Sequence, residues 1–443
     1  MKAIVIGGVA AGMSAASKLR RMQPEAEITV YEKGGFLSYG ACGLPYYIGD
    51  FNTEPAKLIA RTREQYREMN IDCRLHHEVL RVDPAAKKVQ VRDLSSGREF
   101  EDHYDKLMVA VGCSSVIPRL PGADLPAVFS LHSMEDGLLL REIAHLDGVR
   151  HVAVIGGGYI GVEMAEALVH LGRQVTLIEG GDRLLNPFEP EFSELAAQEM
   201  ERNGVRIMVQ SPVTAIEENG NSRTVKTGKW DVSCDVVVMA VGVRPATGFL
   251  RDTGIRMARN GALIVDREMR TSIDDIWAAG DCALVYHRLM EEEAFIALGT
   301  VANKCGRIAG ENMAGNHTKF VGALGTAAIK VFGMEFGRTG MSERDAQRLG
   351  RDYKTKLVTA FDHPAYYPDP EKLVIKLIYD ARTRRLLGAN VGGKRNAVMR
   401  ADMFAIAIHT GLTTEELGMV DLAYAPPFAS VWDAVHIAAN AAK

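Results

Sequence analysis

Cys42 is the residue of this sequence best placed to do redox chemistry. It lies in the glycine-rich segment LSYGACGLPYYIGD, residues 37–50, which leads toward a predicted helix start. Amide groups at a helix N-terminus and nearby cationic side chains favour the thiolate, the nucleophilic form of cysteine. A fall of its pKa from about 8.5 to about 6 would make the thiolate dominant at neutral pH. We therefore expect Cys42 to act as a redox nucleophile.

The other cysteines have no neighbours typical of a redox or metal site. No two of the six cysteines form a close pair such as CxxC, which is typical of a reducing compartment. Cys73 precedes His76 and His77, but the run CRLHHEVLRV alternates as one strand would, so adjacent histidines should face opposite sides. We predict no metal site. The cysteines interpreted as ordinary small residues are Cys73, Cys113, Cys234, Cys282 and Cys305.

The segment HVAVIGGGYIGVE has the spacing that binds the pyrophosphate of a dinucleotide. Gly156, Gly158 and Gly161 lie between an apolar strand and a helix, where glycine allows a tight turn and close approach to phosphate. Glu179 ends the next predicted strand and can accept hydrogen bonds from ribose hydroxyls. A carboxylate there repels a 2′-phosphate, so NADH is favoured over NADPH, although Arg183 could reach a phosphate.

A second copy of this motif stands at the start of the chain. Gly7 and Gly12 follow the apolar run KAIVI, and Glu32 ends the next run, EITVYEK. Val9 replaces the usual middle glycine. The repetition of strand, glycine turn, helix, strand and glutamate predicts two nucleotide-binding units in one chain.

The elements around these motifs predict an α/β protein of several domains. At about 150 residues per domain, 443 residues suggest three domains. Short apolar strands that end in glycine are predicted at 106–112, 234–242 and 275–281. From residue 326 the pattern alternates with period two, and a helical stretch follows at about 396–410. This change predicts a separate C-terminal domain with an antiparallel sheet.

Composition and charge exclude several functional classes. The net charge of −4 is too balanced for a general nucleic-acid binder, so an anionic ligand requires a local basic patch. No apolar stretch approaches the roughly 20 residues that span a bilayer. The N-terminal apolar run breaks at glycines, which indicates a strand and turn rather than a signal peptide. We expect a cytoplasmic protein with no nucleic-acid or membrane partner.

Two dinucleotide units, the AVG strand ends and the segment TSIDDIWAAGDCA give the chain a resemblance to a known family. Nearly the whole chain resembles the FAD-dependent pyridine nucleotide-disulfide oxidoreductases. Members with two active-site cysteines carry CxxxxC, but Tyr47 stands five residues after Cys42. The sequence is therefore similar to the single-cysteine branch of NADH oxidases, NADH peroxidases and coenzyme A disulfide reductases. SYGACGLPYYIG, AYYP at 365–368 and AYAPPF at 423–428 resemble the coenzyme A disulfide reductases most closely.

The resemblance implies an α/β fold with two interleaved Rossmann-like dinucleotide-binding domains plus a C-terminal α+β dimerisation domain. The expected ranges are 1–112 and 245–325 for the FAD-binding domain, 113–244 for the NAD(P)H-binding domain and 326–443 for the dimerisation domain. It also implies a flavoprotein homodimer whose active sites contain residues of both subunits.

The resemblance assigns cofactor roles to several residues. FAD is expected on Gly7, Gly12 and Glu32, with Asp281 reaching its ribityl or phosphate region; a helix N-cap or turn residue is the alternative for Asp281. Tyr159 is expected to gate the flavin face that receives the nicotinamide, with Glu163 close to it. The alternative for these two residues is helix packing, which suits a buried glutamate poorly.

The resemblance also implies a mechanism. NADH reduces FAD, reduced FAD reduces a mixed disulfide between Cys42 and coenzyme A, and the Cys42 thiolate then attacks the next coenzyme A disulfide. Tyr366 and Tyr424 of the partner subunit are expected to stabilise the leaving thiol, with interface packing as the alternative. The competing functions are reduction of polysulfide or coenzyme A persulfide, NADH oxidase or peroxidase activity, and a non-catalytic FAD-binding role. Oxidases and peroxidases usually carry a histidine in the first glycine loop, where this chain has Ala10 and Ala11.

Coenzyme A carries phosphates and so requires a cationic groove. The candidate residues are Lys18, Arg20, Arg21, Arg61 and Arg63, whose alternative is a solvated face, and Ser38 resembles a position that contacts the ligand in the family.

Overall fold

Three five-stranded sheets form the framework of the computed structural model, which describes residues 1–443. Two sheets are parallel and one is antiparallel. Strands β1–β25 and helices α1–α11 are numbered in chain order. The helices are α1 (Ala10–Met22), α2 (Leu44–Ile48), α3 (Arg63–Glu68), α4 (Met134–Ala144), α5 (Tyr159–His170), α6 (Pro190–Arg202), α7 (Gly299–Met313), α8 (Glu343–Arg348), α9 (Ala397–Thr410), α10 (Thr414–Leu417) and α11 (Ala434–Ala441).

The first parallel sheet takes its strands from two separate parts of the chain. Its spatial order is β18 (Ile276–Ala278), β7 (Lys106–Val109), β1 (Lys2–Ile6), β2 (Glu27–Tyr31) and β3 (Ile71–Arg74). β1 and β2 are buried except at their first residues, as expected for strands covered on both faces. An antiparallel sheet follows β3 and contains β4 (His77–Asp83), β5 (Lys88–Asp93) and β6 (Glu99–His103).

The second parallel sheet repeats the design of the first. Its order is β9 (Val128–Ser130), β16 (Val236–Met239), β10 (His151–Ile155), β11 (Gln174–Ile178) and β12 (Arg206–Met208). Its antiparallel sheet contains β13 (Val213–Asn219), β14 (Ser222–Thr227) and β15 (Asp231–Cys234). Two short antiparallel pairs complete this part of the fold: β8 (Cys113–Ser115) with β17 (Val243–Pro245), and β19 (Val285–His287) with β20 (Glu292–Ala294).

The third sheet is antiparallel and belongs to the C-terminal part of the chain. Its order is β21 (Ala327–Val331), β22 (Met334–Gly340), β25 (Leu386–Gly393), β24 (Lys372–Asp380) and β23 (Tyr353–Phe361). Helix α9 packs on β22 and β25, and α11 packs on β23 and β24. The resulting core contains the fully buried side chains of Leu373, Ile375 and Phe404.

Two glycines bring α7 against α1, the helix that follows the first glycine loop. A Cβ atom on Gly306 would lie 2.2 Å from the carbonyl oxygen of Ala11, and one on Gly310 would lie 2.2 Å from that of Ala15. The helices therefore pack backbone to backbone along one face. This contact joins residues 299–313 to the N-terminal nucleotide unit.

A buried ion cluster joins the second parallel sheet region to the C-terminal sheet. Lys376 of β24 lies 3.1 Å from Glu189 Oε2 and 2.8 Å from Glu191 Oε1, and it also pairs with Glu343. Both Lys376 and Glu189 are buried. The backbone amide of Glu189 donates to Asn390 Oδ1 of β25 at 3.1 Å. Because buried charges need partners, these contacts fix the start of α6 against the third sheet.

The predicted fold class is confirmed, including the repeated nucleotide unit and the antiparallel C-terminal sheet. The prediction of one strand across CRLHHEVLRV was wrong. β3 ends at Arg74 and β4 begins at His77, because the backbone turns through His76, whose φ is +56°. The domain boundaries remain a prediction. No helix combines the length and the apolar composition required to cross a membrane.

Candidate active site

Cys42 lies where the chain turns into α2. Residues Ala41–Gly43 form a 3-10 turn, and α2 begins at the next residue, Leu44. The Cys42 side chain is exposed, whereas the other five cysteines are buried. Cys42 is thus the one thiol of the chain that a substrate in solution can reach directly.

The charges around Cys42 differ from the expected ones. Although the side chain is exposed, the protein around it partly desolvates the Cys42 thiol and so raises its pKa, and the negative charges of Glu163 and Asp281 raise it further. Only the backbone amide of Cys42 acts in the opposite direction. The expectation of cationic neighbours that lower this pKa was wrong, because the residues that approach the thiol come from distant parts of the chain and are acidic.

Tyr46 and Glu163 form a hydrogen bond beside Cys42. The Tyr46 hydroxyl of α2 donates to Glu163 Oε1 of α5 at 3.3 Å. Burial, together with the charge of Glu166, raises the pKa of Glu163 to about 7. Burial and the charge of Glu163 also raise the pKa of Tyr46. The sequence analysis missed Tyr46; its place four residues after Cys42, one helical turn away, was the available signal.

Tyr159 is the first residue of α5 and lies one helical turn before Glu163. Its ring centroid is 6.0 Å from that of Phe188, and the two rings are tilted. Burial raises the pKa of Tyr159 to about 12, so the hydroxyl stays protonated at neutral pH. Tyr159 and Glu163 therefore share one face of α5, as their spacing requires.

Asp281 follows the turn after β18. Gly280, with φ of +85°, leads into this residue, and the Asp281 carbonyl oxygen accepts a hydrogen bond from Cys113 Sγ at 3.0 Å. Burial raises the pKa of the Asp281 carboxyl group, and His132 opposes that shift. Asp281 is not a helix N-cap, but it lies in a turn, as the second form of the alternative states.

The first glycine loop is fixed by contacts that only glycine permits. Gly7 has φ of +103°, and a Cβ there would lie 2.2 Å from the Ala110 carbonyl oxygen. A Cβ on Gly12 would lie 1.9 Å from the Gly7 carbonyl oxygen. Glu32 accepts from the amides of Gly8 at 2.6 Å and Gly34 at 2.7 Å. Its carboxylate is therefore held at the mouth of the loop.

The second loop repeats this geometry closely. Gly156 has φ of +109°, and a Cβ on Gly161 would lie 1.8 Å from the Gly156 carbonyl oxygen. Glu179 accepts from the amides of Gly157 and Gly181, each at 2.6 Å. A cavity of about 490 Å³ lies over this loop and is also lined by Arg183.

These donor sets fit two dinucleotides. Each carboxylate oxygen that accepts a hydrogen bond from one amide retains a lone pair, which can accept a second hydrogen bond from a ribose hydroxyl. At Gly158 an added Cβ would meet no protein atom within 4 Å, so the chain itself does not require glycine there. The missing side chain instead leaves the first turn of α5 open to a pyrophosphate group.

A third site is a cavity of about 580 Å³ with basic walls. Of the residues expected to bind substrate, Arg21, Ser38 and Arg61 line it, and the Tyr66 hydroxyl donates to Ser38 Oγ at 3.0 Å. Its other cations are Lys304 and Arg307 of α7. The sequence analysis missed these two; their spacing of three on an amphipathic helix was the signal.

Three of the basic candidates lie elsewhere. Lys18 pairs with Glu311 at 3.1 Å, and Arg63 lines a different cavity, together with Cys73. Arg20 donates to the backbone carbonyl oxygen of Asn70 at 2.5 Å. The structure does not bring these side chains into the basic cavity.

Tyr366 and Tyr424 meet at the surface of the C-terminal part. Their hydroxyl oxygens are 2.6 Å apart, although the residues are 58 positions apart in sequence. Both side chains are exposed, and several residues close to Tyr424 in the sequence are apolar and exposed. These include Met419, Phe428, Val431 and Trp432.

Comparison with known proteins gives the family. Residues 1–306 match the family described as pyridine nucleotide-disulphide oxidoreductase, and residues 326–435 match its dimerisation domain. The chain therefore belongs to the pyridine nucleotide-disulphide oxidoreductases. It is an oxidoreductase of this FAD-dependent family and uses NAD(P)H.

Several relatives match the chain along its whole length. The NAD(P)H coenzyme A polysulfide/persulfide reductase of Pyrococcus horikoshii is 35% identical over 100% of this chain and 98% of its own. An NADH oxidase of Enterococcus faecalis is 31% identical over 100% and 99%. Coenzyme A disulfide reductase of Staphylococcus aureus is 30% identical over 100% of both chains. The solved structure of reduced Bacillus anthracis CoADR-RHD is 33% identical with a TM-score of 0.96, over 100% of this chain and 80% of that one.

Proposed function

We propose that this protein is an NAD(P)H-dependent reductase of coenzyme A disulfide that acts through Cys42. The observation that carries the proposal is one exposed thiol in a site that also has a cationic cavity. Coenzyme A polysulfide or persulfide is the second candidate substrate, because a thiolate attacks any accessible S–S bond and a relative carries that name.

The first loop, with Gly7, Gly12 and Glu32, is the proposed FAD site, and Asp281 is expected at its ribityl or phosphate region. The second loop, with Glu179, is the proposed NAD(P)H site. FAD, when bound, supplies two-electron transfer between a nicotinamide and a disulfide. Tyr159 and Glu163, on one face of α5, are proposed to position the nicotinamide ring.

Cys42 forms and loses a mixed disulfide with coenzyme A in the proposed cycle. Its thiolate attacks one sulfur of the disulfide, the new S–S bond forms, and the second coenzyme A leaves as a thiolate that requires a proton. The overall balance is NAD(P)H + H⁺ + CoA–S–S–CoA giving NAD(P)⁺ and two CoA–SH. One proton is therefore consumed in each cycle.

The basic cavity is the proposed site for the phosphates of coenzyme A. Arg21, Arg61, Lys304 and Arg307 form no ion pair with the chain, so their charges are free to meet an anionic ligand. Ser38 links this cavity to the cysteine segment, four residues before Cys42.

Tyr366 and Tyr424 are proposed to reach Cys42 of the partner subunit in a homodimer. Their hydroxyl groups form one hydrogen-bonded pair, in which one oxygen donates and the other keeps a proton to offer to a leaving thiolate. The exposed apolar residues nearby suit a subunit interface, and the C-terminal part belongs to a dimerisation family. The dimer then completes two sites related by a two-fold axis.

Reduction of oxygen is the competing activity, since one relative is an NADH oxidase. Anaerobic NADH oxidation, followed at 340 nm with coenzyme A disulfide, polysulfide or peroxide, tests the choice, with an aerobic assay for oxygen. We expect coenzyme A disulfide or persulfide to give the highest kcat/KM and Cys42→Ser to abolish that activity. Cys73→Ala is the control, because Cys73 is buried away from the site. Dominant oxygen or peroxide turnover would contradict the proposal.

A matched pair of arginines tests the substrate cavity. Arg307→Ala should raise KM for coenzyme A disulfide about tenfold, the value of one charged hydrogen bond, and leave KM for a small uncharged disulfide unchanged. Arg63→Ala is the control, because Arg63 lies outside the cavity. Equal effects of the two variants would remove the cavity from the proposal.

A further inference from the structure

Two helices bring an acidic residue and a phenol to the redox cysteine. Cys42 and Tyr46 are one helical turn apart at the start of α2, and Tyr159 and Glu163 are one turn apart on α5. The hydrogen bond from Tyr46 to Glu163 is the point where these two faces meet. Glu163 is therefore fixed beside the thiol by a partner on the cysteine's own segment.

The surroundings of Glu163 and Cys42 contain little positive charge. Glu166, the nearest second carboxylate, accepts from Lys330 Nζ at 2.6 Å and from the amide of Phe332 at 2.7 Å, so Lys330 is already paired. The groups that act on this pair are Tyr46 of α2 and Glu166 of α5 on Glu163, and Asp281 on Cys42. Around them, Lys330 of β21 pairs with Glu166, Arg338 of β22 acts on Tyr159, and His132 acts on Asp281. A Cys42 thiolate and a Glu163 carboxylate would repel each other in this setting.

We propose that Glu163, held by the Tyr46 hydroxyl, takes up a proton when Cys42 becomes a thiolate, so that the two groups do not carry negative charge together. Glu163 is a positioning residue in this respect, since it acts on the reaction through the charge state of Cys42. Rising pH ionises Glu163 with a pKa of about 7, and the new charge then raises the pKa of the thiol. The reactivity of Cys42 should accordingly rise with pH less steeply above neutrality than that of an isolated thiol.

This inference rests on the proposed function only in taking Cys42 as the redox cysteine. The proposed cycle changes the charge of Cys42 twice, and Glu163 can respond to each change. Each reduction of the mixed disulfide leaves a thiolate on Cys42, and each attack on a new disulfide removes that negative charge again. Glu163 can hold a proton through the first state and release it to solvent in the second, when Cys42 no longer carries a negative charge.

Alkylation of Cys42 by iodoacetamide tests the proposal without turnover. The flavin-loaded protein is first reduced, and the modified Cys42 peptide is counted by mass spectrometry between pH 5.5 and 9.5. The other cysteines are buried and should remain unmodified. In Glu163→Gln the loss of the carboxylate should lower the apparent pKa of Cys42 and speed alkylation at pH 8 by about threefold or more. An unchanged profile would overturn the proposal.

Tyr46→Phe tests the hydrogen bond itself. The Tyr46 hydroxyl stabilises the charged form of Glu163, so its removal should move the bend in the alkylation profile to higher pH by about half a unit or more. Glu194→Gln, an exposed residue of α6, is the control and should leave the profile unchanged. A bend that stays in place in Tyr46→Phe would show that Tyr46 does not set the charge of Glu163.

Infrared spectroscopy gives a readout that does not depend on thiol reactivity. A protonated carboxyl band should be present at pH 6, disappear by pH 8 in the wild type and be absent from Glu163→Gln. If Glu163→Gln does not fold, Tyr46→Phe still carries the test through the midpoint of this band. Absence of such a band from the wild type at pH 6 would overturn the proposal, whatever substrate the protein reduces.

Discussion

The two nucleotide-binding units of this chain have the same framework and differ at one of the three glycine positions of their loops. Gly7 and Gly12 in the first unit, like Gly156 and Gly161 in the second, occupy positions where a Cβ would lie within about 2.3 Å of a backbone oxygen. The position between them is Val9 in one unit and Gly158 in the other. The shared glycines are thus required by the strand–turn–helix geometry, whereas the protein around Gly158 has room for a side chain, so we propose that the ligand determines this position.

The units also differ in how the rest of the chain supports them. Helix α1 of the first unit is covered by α7, which returns to it after the second unit is complete. Helix α5 of the second unit is covered instead by α2, where a Cβ on Gly49 would lie 2.8 Å from Ala167 Cα. Because α2 follows the Cys42 turn, the second unit is in direct contact with the segment that carries Cys42. The repeated unit therefore forms two similar pockets, and helices α7 and α2 give these pockets different surroundings.

Lys376→Met should give the largest loss of stability. It removes an ion pair that joins the second unit, and not the first, to the third sheet. The substitution leaves the buried carboxylate of Glu189 without its cation, which costs about 3–5 kcal/mol. Thermal unfolding should show a correspondingly lower midpoint. The control is Lys226→Met, which removes a partly exposed pair with Asp231 at 2.7 Å and should cost less than about 1 kcal/mol. Similar shifts in the two variants would mean that the buried cluster does not hold the second unit.

Gly12→Ala and Gly161→Ala should come next and test whether the two loops are equivalent. Each added methyl group would lie within 2 Å of a backbone oxygen in its own unit. Displacing that backbone costs about 1–3 kcal/mol. Because the geometry is the same, both variants should lose similar stability by thermal unfolding, but only Gly12→Ala should also lose flavin absorbance on purification. Loss of flavin from Gly161→Ala alone would reverse the assignment of the two loops.

Local patterns in the sequence were sufficient to predict the fold class and both glycine loops. The glycines and the glutamate of each unit lie within 26 residues of one another, in an order that the strand–helix–strand geometry requires. The two exposed tyrosines of the C-terminal part were found by resemblance. The hydrogen bond between them could not be predicted, since it joins residues 58 positions apart.

Contacts between distant segments could not be read from the sequence. Glu163 and Asp281 lie 121 and 239 positions after Cys42, and their charges add to the desolvation that raises the pKa of the thiol instead of lowering it. Lys304 and Arg307 reach the basic cavity only because the glycines of α7 let that helix pack closely on α1. Lys18 lies outside this cavity and is paired with Glu311. In each case the tertiary fold decides which of several similar side chains faces the site.

Glu179→Gln should have a smaller effect on stability and act mainly on ligand binding, and it sharpens the functional difference between the units. One of the two oxygens that accept from the amides of Gly157 and Gly181 is lost, so a modest loss of stability is expected. The carboxylate proposed to face the ribose is also lost, so KM for NADH should rise about tenfold or more, the value of a hydrogen bond to a charged group. KM for NADPH should fall or stay constant, because the repulsion of a 2′-phosphate is removed. Steady-state kinetics with both nucleotides measure this. A tenfold preference of the wild type for NADPH would instead assign the main role to Arg183, which lines the same cavity.

Gly158→Ala should leave stability almost unchanged, and it tests the one glycine position of the motif that the first loop lacks. The added methyl group meets no protein atom within 4 Å, and φ of −78° is accessible to alanine. The midpoint of thermal unfolding should therefore shift by less than the equivalent of about 0.5 kcal/mol. Binding of NADH should still weaken several-fold, because the methyl group stands where the pyrophosphate approaches α5. Val9→Gly in the first loop is the reciprocal change. If Gly158→Ala lowers stability as much as Gly161→Ala, the glycine serves the loop itself, and the difference between the units is not explained by their ligands.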